Sequence, residues 1–284
     1  VFSSNIFRSL TDSKMLQIIF FGILFGAVLS MIPKEKAKPV MDLVEGLNEV
    51  FVKMVMVIMK AMPFFVFALM AGQIVKAAGS DPDKFTELIK FYLWYGGVVI
   101  AGLVTMAFIF YPIIVKIFTG LGFRKFLRSV KDAQITAFST SSSVATLPVT
   151  MGCLENNLKV SKSTTSFVLP IGATVNMDGT SLYQGIAVVA LAQFHMVDLS
   201  ILQQLIIVGT ATLASIGAAA IPSAGLILMM VVLESVGLNP LWIAIIFPID
   251  RILDMCRTVV NVTGDASVAA IIAYSENEIN SVDD

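Results

Sequence analysis

Histidine occurs once in this 284-residue chain, and cysteine and tryptophan twice each. Cys153 and Cys256 are far apart and form no CxxC pair, and His195 has no second histidine to work with. That scarcity excludes a disulfide framework and the nitrogen- and sulfur-rich sites of zinc, copper and iron. Charge is also scarce. Only 14% of residues are charged, against about a quarter in soluble domains, while 57% are hydrophobic and the mean hydropathy is +0.87. The composition is that of a polytopic membrane protein. A net charge of −1 lacks the basic excess that a nucleic-acid partner would require. The first stretch, VFSSNIFRSLTDSK, has neither the basic start nor the small-residue cleavage site of a signal peptide. Starting at Val1, the chain is expected to begin part-way through a longer protein.

Apolar runs are nevertheless present, and a membrane span needs about 20 such residues. The run 15–32 is one candidate, and 88–118 is long enough to span with tilt. Tyr92, Trp94, Tyr95 and Tyr111 near the ends of the second run are read as interface anchors. The segment 44–76 carries Glu45, Glu49, Lys53 and Lys60 on one broad helical face, so it is expected to pack against protein on that side. His195 is read as an ordinary interface residue. Lys34, Lys36 and Lys38 after the first run, and Arg124, Lys125, Arg128 and Lys131 after the third, place both loops in the cytoplasm.

The pattern changes beyond residue 130. The stretches 133–150 and 210–232 are apolar at both ends, with middles of Ser, Gly, Ala and Pro. Bare backbone in hydrocarbon costs several kcal/mol per group, so each is expected to be a re-entrant helical hairpin shielded by protein. Between them, 167–194 is interrupted by Pro170, Gly172 and the polar run Asn176 to Thr180. The last span, 240–274, is expected to be interrupted too. Paired interrupted segments in corresponding positions are the sequence pointer to a transporter built from repeats.

The densest charge lies in that last span. DRILDMCRTVVNVTGD, residues 250–265, carries Asp250, Arg251, Asp254, Arg257 and Asp265 between apolar flanks. At about 100° per residue, positions 250, 254, 257, 258, 261 and 265 share one arc, with Arg251 at its edge. Leu253, Met255, Cys256, Val259, Val260 and Val262 lie opposite. The charges could be ion pairs joining helices, but ionisable groups within a membrane are functional by default. Three carboxylates against two arginines leave negative charge over, which a cation would neutralise. Asp265, Asn261, Asn176 and carbonyls near the break are hard oxygen donors, and sodium suits such a set. Asp178 is a further donor, or else a cap for the second half-helix. Arg257 offers a planar fork for a carboxylate, and Asp254 suits an ammonium group. Ser141, Ser142 and Ser143, at an expected hairpin tip, can hold a second carboxylate on backbone N–H groups. An amine with two carboxylates describes aspartate or glutamate.

SSSVATLPVT (141–150), NMDGT (176–180), ASIGAAAIPSAG (214–225) and DMCRTVVNVTGD (254–265) resemble the glutamate/aspartate:cation symporters, or dicarboxylate/amino acid:cation symporter family. The resemblance covers essentially the whole chain and starts at that family's fourth transmembrane helix. It implies an all-α, elevator-type transporter with two re-entrant hairpins and two broken helices. Residues 1–76 would be scaffold and trimerisation helices, and 88–284 the transport domain. Within that domain, hairpin 1 would cover about 133–151, the broken helix 167–194, hairpin 2 about 201–237, and the last helix 240–274. The activity implied is sodium-coupled symport of L-aspartate or L-glutamate across the plasma membrane, a bacterial inner membrane. The protein would be a lipid-embedded homotrimer with no cofactor besides the coupling ion.

The resemblance also implies roles. Ser141 to Ser143, Thr180, Asp254 (amine), Arg257 (side-chain carboxylate), Thr258 and Asn261 would bind substrate, and the second tip, Ile221 to Gly225, would close over it. One sodium would lie among the carbonyls of Gly172, Asn176 and Asn261 and the Asp265 carboxylate. A second would lie between Thr174 and the backbone of Ser215, Ile216 and Ala218. A third would use Asp178 with Asn176, together with residues of a third helix that precedes the matching region. Some positions depart from the family. Ser141 stands where archaeal members often have arginine, and Met255 where animal members have one; Arg251 beside Asp254 is this chain's own. Gln184 stands where animal members have a glutamate tied to proton and potassium coupling, so potassium countertransport is not carried over. Ala218 follows the animal pattern. The alternatives are a proton-coupled acidic amino acid or C4-dicarboxylate carrier and, from another class, an intramembrane aspartyl protease. NMDGT and NVTGD do not match the aspartate contexts of that protease.

Overall fold

The computed structural model describes residues 5–11, 15–61, 64, 67–68, 71–72, 82–218 and 223–276. The chain divides into two compact units, Val1–Gly72 and Gln73–Asp284. All regular structure among the described residues is helical.

The first unit contains α1 (Ile6–Thr11), α2 (Met15–Met31) and α3 (Lys34–Met59). Ser9 donates to the Gln17 side chain at 2.8 Å and ties α1 to α2. Phe21, Leu24, Phe25 and Val28 are exposed along α2, and Leu43, Leu47, Val50 and Met54 along α3. The amphipathic face expected to pack on protein is likewise open: Glu45, Glu49, Lys53 and Lys60 are exposed. The lysines assigned to a loop after the first span instead begin α3, whose helix accommodates Pro39 close to its start.

The second unit opens with α4 (Pro82–Thr105), which continues through a π-helical turn (Met106–Phe110) into α5 (Tyr111–Thr119). Within it, Thr86–Thr119 is the one continuous helix among the described residues long and apolar enough to cross a membrane unaided. Trp94 is exposed, as an anchor would be, but Tyr95 and Tyr111 are buried. Two of the expected anchors therefore belong to the interior. Tyr111 gives its hydroxyl to Asp178, and Tyr95 stacks its ring on Phe91, so an amphipathic ring serves equally well inside.

Hairpin 1 pairs α6 (Phe123–Thr140) with α7 (Ser143–Asn157). Asn157, at the far end of α7, donates to the Ser129 carbonyl of α6 at 2.7 Å, which fixes the two helices antiparallel. Both helices run farther than the expected 133–151, because α6 is amphipathic over its whole length and buries Phe126, Val130, Ala133 and Ala137. The turn needs only Ser141 in the left-handed region (φ 53°), whose N–H bonds back to Ala137. Ser142 then caps α7 by accepting from the Ala145 N–H.

The interrupted helix is α8 (Lys162–Val175) followed by α9 (Asp178–Phe194). Hairpin 2 pairs α10 (Ile201–Ile216), started by a Ser200/Gln203 capping box, with α11 (Ala224–Ser235). Thr210 and Ser235 hydroxyls 3.1 Å apart join its two arms.

The last helix differs from expectation. After a 3₁₀ turn at Pro240–Trp242, α12 runs unbroken from Ile243 to Ser275. Pro248 lies inside its second turn and removes one bond, to the Ala244 carbonyl, without ending the helix. Its charges pair with one another along the helix and take hydrogen bonds from Tyr183 and Asn176 beside it, so its backbone has no need to open. Nor is the helix one-sided: Leu253, Val260 and Val262, on the face opposite the charges, are also buried. It is the axis of the unit. At one end, Ala266, Ala269, Ala270 and Ala273 pack with Val115, Phe126, Leu154, Leu158 and Leu169.

Candidate ligand-binding site

The site is built where α12 passes the α8–α9 break and the tip of hairpin 2. Asp178 does not cap α9; the cap position is Met177, without a side-chain bond. The cap comes instead from another helix. Asn261 of α12 accepts from the Gly179 N–H at 2.8 Å and donates to Met177 Sδ at 3.2 Å and Thr180 Oγ1 at 3.4 Å. A Cβ on Gly179 would lie 2.6 Å from the Arg257 carbonyl, so only glycine lets α9 start so close to α12.

One turn farther along α12, the Asp265 carboxylate accepts from Asn176 Nδ2 at 2.9 Å, and the same amide approaches the Asn261 carbonyl at 3.5 Å. Gly172 abuts this carboxylate: a Cβ there would come within 2.5 Å of Oδ1. Asp178 takes a hydrogen bond from Tyr111. Two carboxylates thus lie close to the break, bonded to an amide and a phenol but to no cation among the described residues. Gly172, Asn176, Asp178, Asn261 and Asp265 are brought together as one oxygen-rich cluster. Thr174 is not: its side chain is exposed and its hydroxyl donates to the Pro170 and Ile171 carbonyls. Ser215 is buried and donates to the Thr212 carbonyl, and the Ala218 N–H donates to the Ser215 carbonyl. Asn176, Asp178, Ser215 and Ile216 line one side of a groove of about 1310 Å³ between α4, α9 and α10.

At the Asp250 end of α12 the arginine is the centre. Arg257 is 1% exposed. Its Nη2 lies 2.5 Å from Asp254 Oδ1 and 3.3 Å from Asp250 Oδ1, and its guanidinium stacks over the Tyr183 ring at 3.9 Å. Tyr183 donates to Asp250 at 2.8 Å. The remaining guanidinium nitrogens, Nε and Nη1, are buried and have no hydrogen-bond partner among the described residues. Asp254 is shared: its Oδ2 accepts from the Ser223 N–H at 3.0 Å and lies 3.6 Å from Arg251 Nη1. The side chain of Arg251 is 38% exposed. The tip of hairpin 2 sits on this cluster. Gln184 of α9 donates to the Gly225 carbonyl at 2.8 Å, and a Cβ at Gly225 would meet Thr180 at 2.6 Å and Arg257 Nη1 at 3.3 Å. Thr258 bonds back to the Asp254 carbonyl. Ile221 lies outside the described residues.

Hairpin 1 reaches α12 through Gln134, which donates to Thr263 at 3.0 Å, and through Ala133 and Ala137 packed with Val259 and Val262. Ser141 and Ser143 are buried at its tip, and Ser141 Oγ has no partner.

The sodium:dicarboxylate symporter family model matches residues 1–275. The chain belongs to that family. It is therefore a membrane protein of a symporter family rather than an enzyme, and the protease alternative falls away. Among curated proteins it is 40% identical over 271 residues to an excitatory amino acid transporter of Caenorhabditis elegans, covering 95% of this chain and 53% of that protein. It is 41% identical over 274 residues to excitatory amino acid transporter 1 of Ambystoma tigrinum (94% and 48%). Against excitatory amino acid transporter 2 of Homo sapiens it is 40% identical over 271 residues (95% and 46%). The chain spans about half the length of the curated relatives it matches.

Several residues of this candidate site carry more of the geometry than the sequence suggested. Asp250 lies on the charged arc, yet its bond to Arg257 could not be read from spacing alone. Tyr183 and Gln184 follow Thr180 by three and four residues, the same face of one helix, and that phase was the available signal. Tyr111 left no local trace, because its partner Asp178 is 67 positions away.

Proposed function

We propose that the complete protein is a secondary active transporter that carries L-aspartate or L-glutamate together with sodium. The observation that carries this reading is the pair of unpartnered, buried guanidinium nitrogens on Arg257 beside Asp254. Without a ligand, Arg257 and Asp254 neutralise each other at 2.5 Å. An amino acid with a side-chain carboxylate can replace one buried pair by two, its ammonium taking Asp254 and its carboxylate taking an unmet Arg257 nitrogen together with the Nη2 that Asp254 gives up. Arginine suits this task because its fork binds a carboxylate bidentately. A neutral amino acid would leave the fork unmet, and a dicarboxylate without an amine would leave Asp254 unmet. Thr180, Thr258 and Asn261 stand around the same spot, and the serines at 141–143 are proposed to hold the α-carboxylate.

Sodium is assigned to the oxygen cluster of Gly172, Asn176, Asn261 and Asp265, with Asp178 and Asn176 as a second set and Thr174 with Ser215, Ile216 and Ala218 as a third. The donors are carbonyl, amide and carboxylate oxygens, a hard set suited to sodium. A cation among them would supply the positive charge that Asp265 and Asp178 lack. Residues 88–284 are proposed as the moving transport unit and 1–76 as scaffold in a plasma-membrane homotrimer, with both hairpins re-entrant.

The test is uptake of labelled aspartate by the complete protein in lipid vesicles. Accumulation driven by an inward sodium gradient is expected. Accumulation that follows a proton gradient and ignores sodium would replace sodium by protons as the coupling ion. Uptake of succinate in preference to aspartate would overturn the role of Asp254.

A further inference from the structure

The charges of the second unit are sorted by end. Between Lys116 and Lys162 the chain carries seven basic residues against two acidic ones, Asp132 and Glu155. From Lys162 to Arg251 it carries no lysine or arginine at all. Arg124, Arg128 and Lys131 are exposed on α6, Lys125 is half-buried beside them, and Lys159 and Lys162 are exposed in the link from α7 to α8. The fold brings the two groups together. Asn157 bonds to the Ser129 carbonyl, and Val115, Phe126, Leu158 and Val160 share one core cluster, so the α5–α6 turn and the α7–α8 link lie at the same end. The ion pairs described in this unit belong to Arg251 and Arg257, so these basic side chains are unpaired among the described residues. Glu155 is bonded to Thr165. Next to the basic residues is an apolar band: Ile113, Ile117, Phe118 and Phe123 are 45%, 69%, 59% and 37% exposed. At the other end, where α4 begins and Phe91 meets Phe194, Asp83, Glu87, Asp198 after α9 and Glu234 in the last turn of α11 outnumber Lys84 and Lys90.

We propose that this basic end is a docking face for anionic phospholipid headgroups of the cytoplasmic leaflet. The sequence of surfaces is what an interface requires: apolar side chains for acyl chains, then a cationic belt at the depth of the phosphates. A soluble acidic protein would meet the belt but has no use for a contiguous lipid-facing band, so the membrane is the better match. The inference rests on the proposed movement of this unit in one further respect. Attraction to a charged leaflet fades within a Debye length of about 8–10 Å. A unit that shifts across the membrane therefore feels it unequally at its two positions, and anionic lipid favours the position that holds the belt at the headgroups.

The complete protein, purified and mixed with phosphatidylglycerol or phosphatidylcholine, is examined by native mass spectrometry for retained lipid. Wild type is expected to retain phosphatidylglycerol preferentially, and 0.5 M salt to erode the preference. The preference should fall by about 5-fold for each charge removed in Arg124→Gln/Arg128→Gln/Lys131→Gln, and survive in Arg124→Lys/Arg128→Lys. Equal retention of the two lipids by wild type overturns the proposal, as does an undiminished preference in the triple variant. Binding of a polyglutamate peptide without any lipid preference overturns it in favour of an acidic protein partner. If the triple variant does not fold, the salt series and the lysine variant decide between the same outcomes. Wild-type aspartate uptake in pure phosphatidylcholine vesicles reports on transport separately, so the lipid proposal can fail while the transport reading stands.

Discussion

The two hairpins have the same architecture and opposite wiring. Hairpin 1 satisfies its tip from within: Ser142 caps its own helix, Thr146 donates to the Ser142 carbonyl at 2.8 Å, and Thr140 and Thr146 hydroxyls are 3.1 Å apart. In hairpin 2 the described residues that lead into α11 are met from outside, the Gly225 carbonyl by Gln184 and the Ser223 N–H by Asp254. A tip bonded to itself can keep those bonds when a ligand binds next to it. A segment bonded to Asp254, the carboxylate proposed to take the ligand's amine, would change its partners when that carboxylate changes its own. Hairpin 2 is thus the element a ligand can bias, since only differential contacts shift an equilibrium.

The strongest way to break this comparison is at the shared partner. Arg257→Cys leaves Asp254 and Asp250 buried without their cation, at a cost of about 3–5 kcal/mol. Aspartate binding by calorimetry is expected to disappear, and binding of serine or alanine to become measurable. Unchanged aspartate affinity would remove Arg257 from the site.

Next in size is the cation cluster. Asp265→Asn keeps the shape and removes the charge, and Gly172→Ala drives a methyl group against the same carboxylate. Both are expected to weaken sodium binding about 10-fold or more, and to weaken aspartate in step, because coupling between two ligands is reciprocal. Aspartate titrations at several sodium concentrations check this: high sodium should restore much of the lost aspartate affinity in Asp265→Asn.

Gln184→Ala tests the external wiring of hairpin 2. Losing one buried hydrogen bond to Gly225 costs about 1 kcal/mol, which should be seen as about 5-fold weaker aspartate binding. A reactive cysteine introduced by Ser223→Cys should also label faster in this background. The smallest effect on ligand is expected from Thr146→Val. It removes the internal bonds of hairpin 1 and costs about 1 kcal/mol of thermal stability, while leaving aspartate affinity within about 2-fold. If Thr146→Val disturbs affinity and Gln184→Ala does not, the two hairpins have been assigned the wrong way round.

Much of this molecule was legible in local sequence. The helical class, the break at Asn176–Met177 and the charged arc of 250–265 all follow from hydropathy, Gly/Pro interruptions and a 100° phase, which are properties of neighbours along the chain. The continuity of α12 was not legible, because a charged run reads as a break until the neighbouring helices that satisfy it are known. The tyrosines likewise read as membrane anchors, since an amphipathic ring suits an interface or an interior equally well. By itself the sequence determined which residues are polar inside an apolar chain, and on which side of each helix they lie. Only tertiary structure decided which of them meet: Asn261 capping a helix 82 positions away, Tyr111 on Asp178, Gln184 on the tip of hairpin 2, Arg257 held by two carboxylates over Tyr183. Hydrogen bonds and ion pairs act over about 3–4 Å, and which groups come that close depends on how the helices pack rather than on any local pattern.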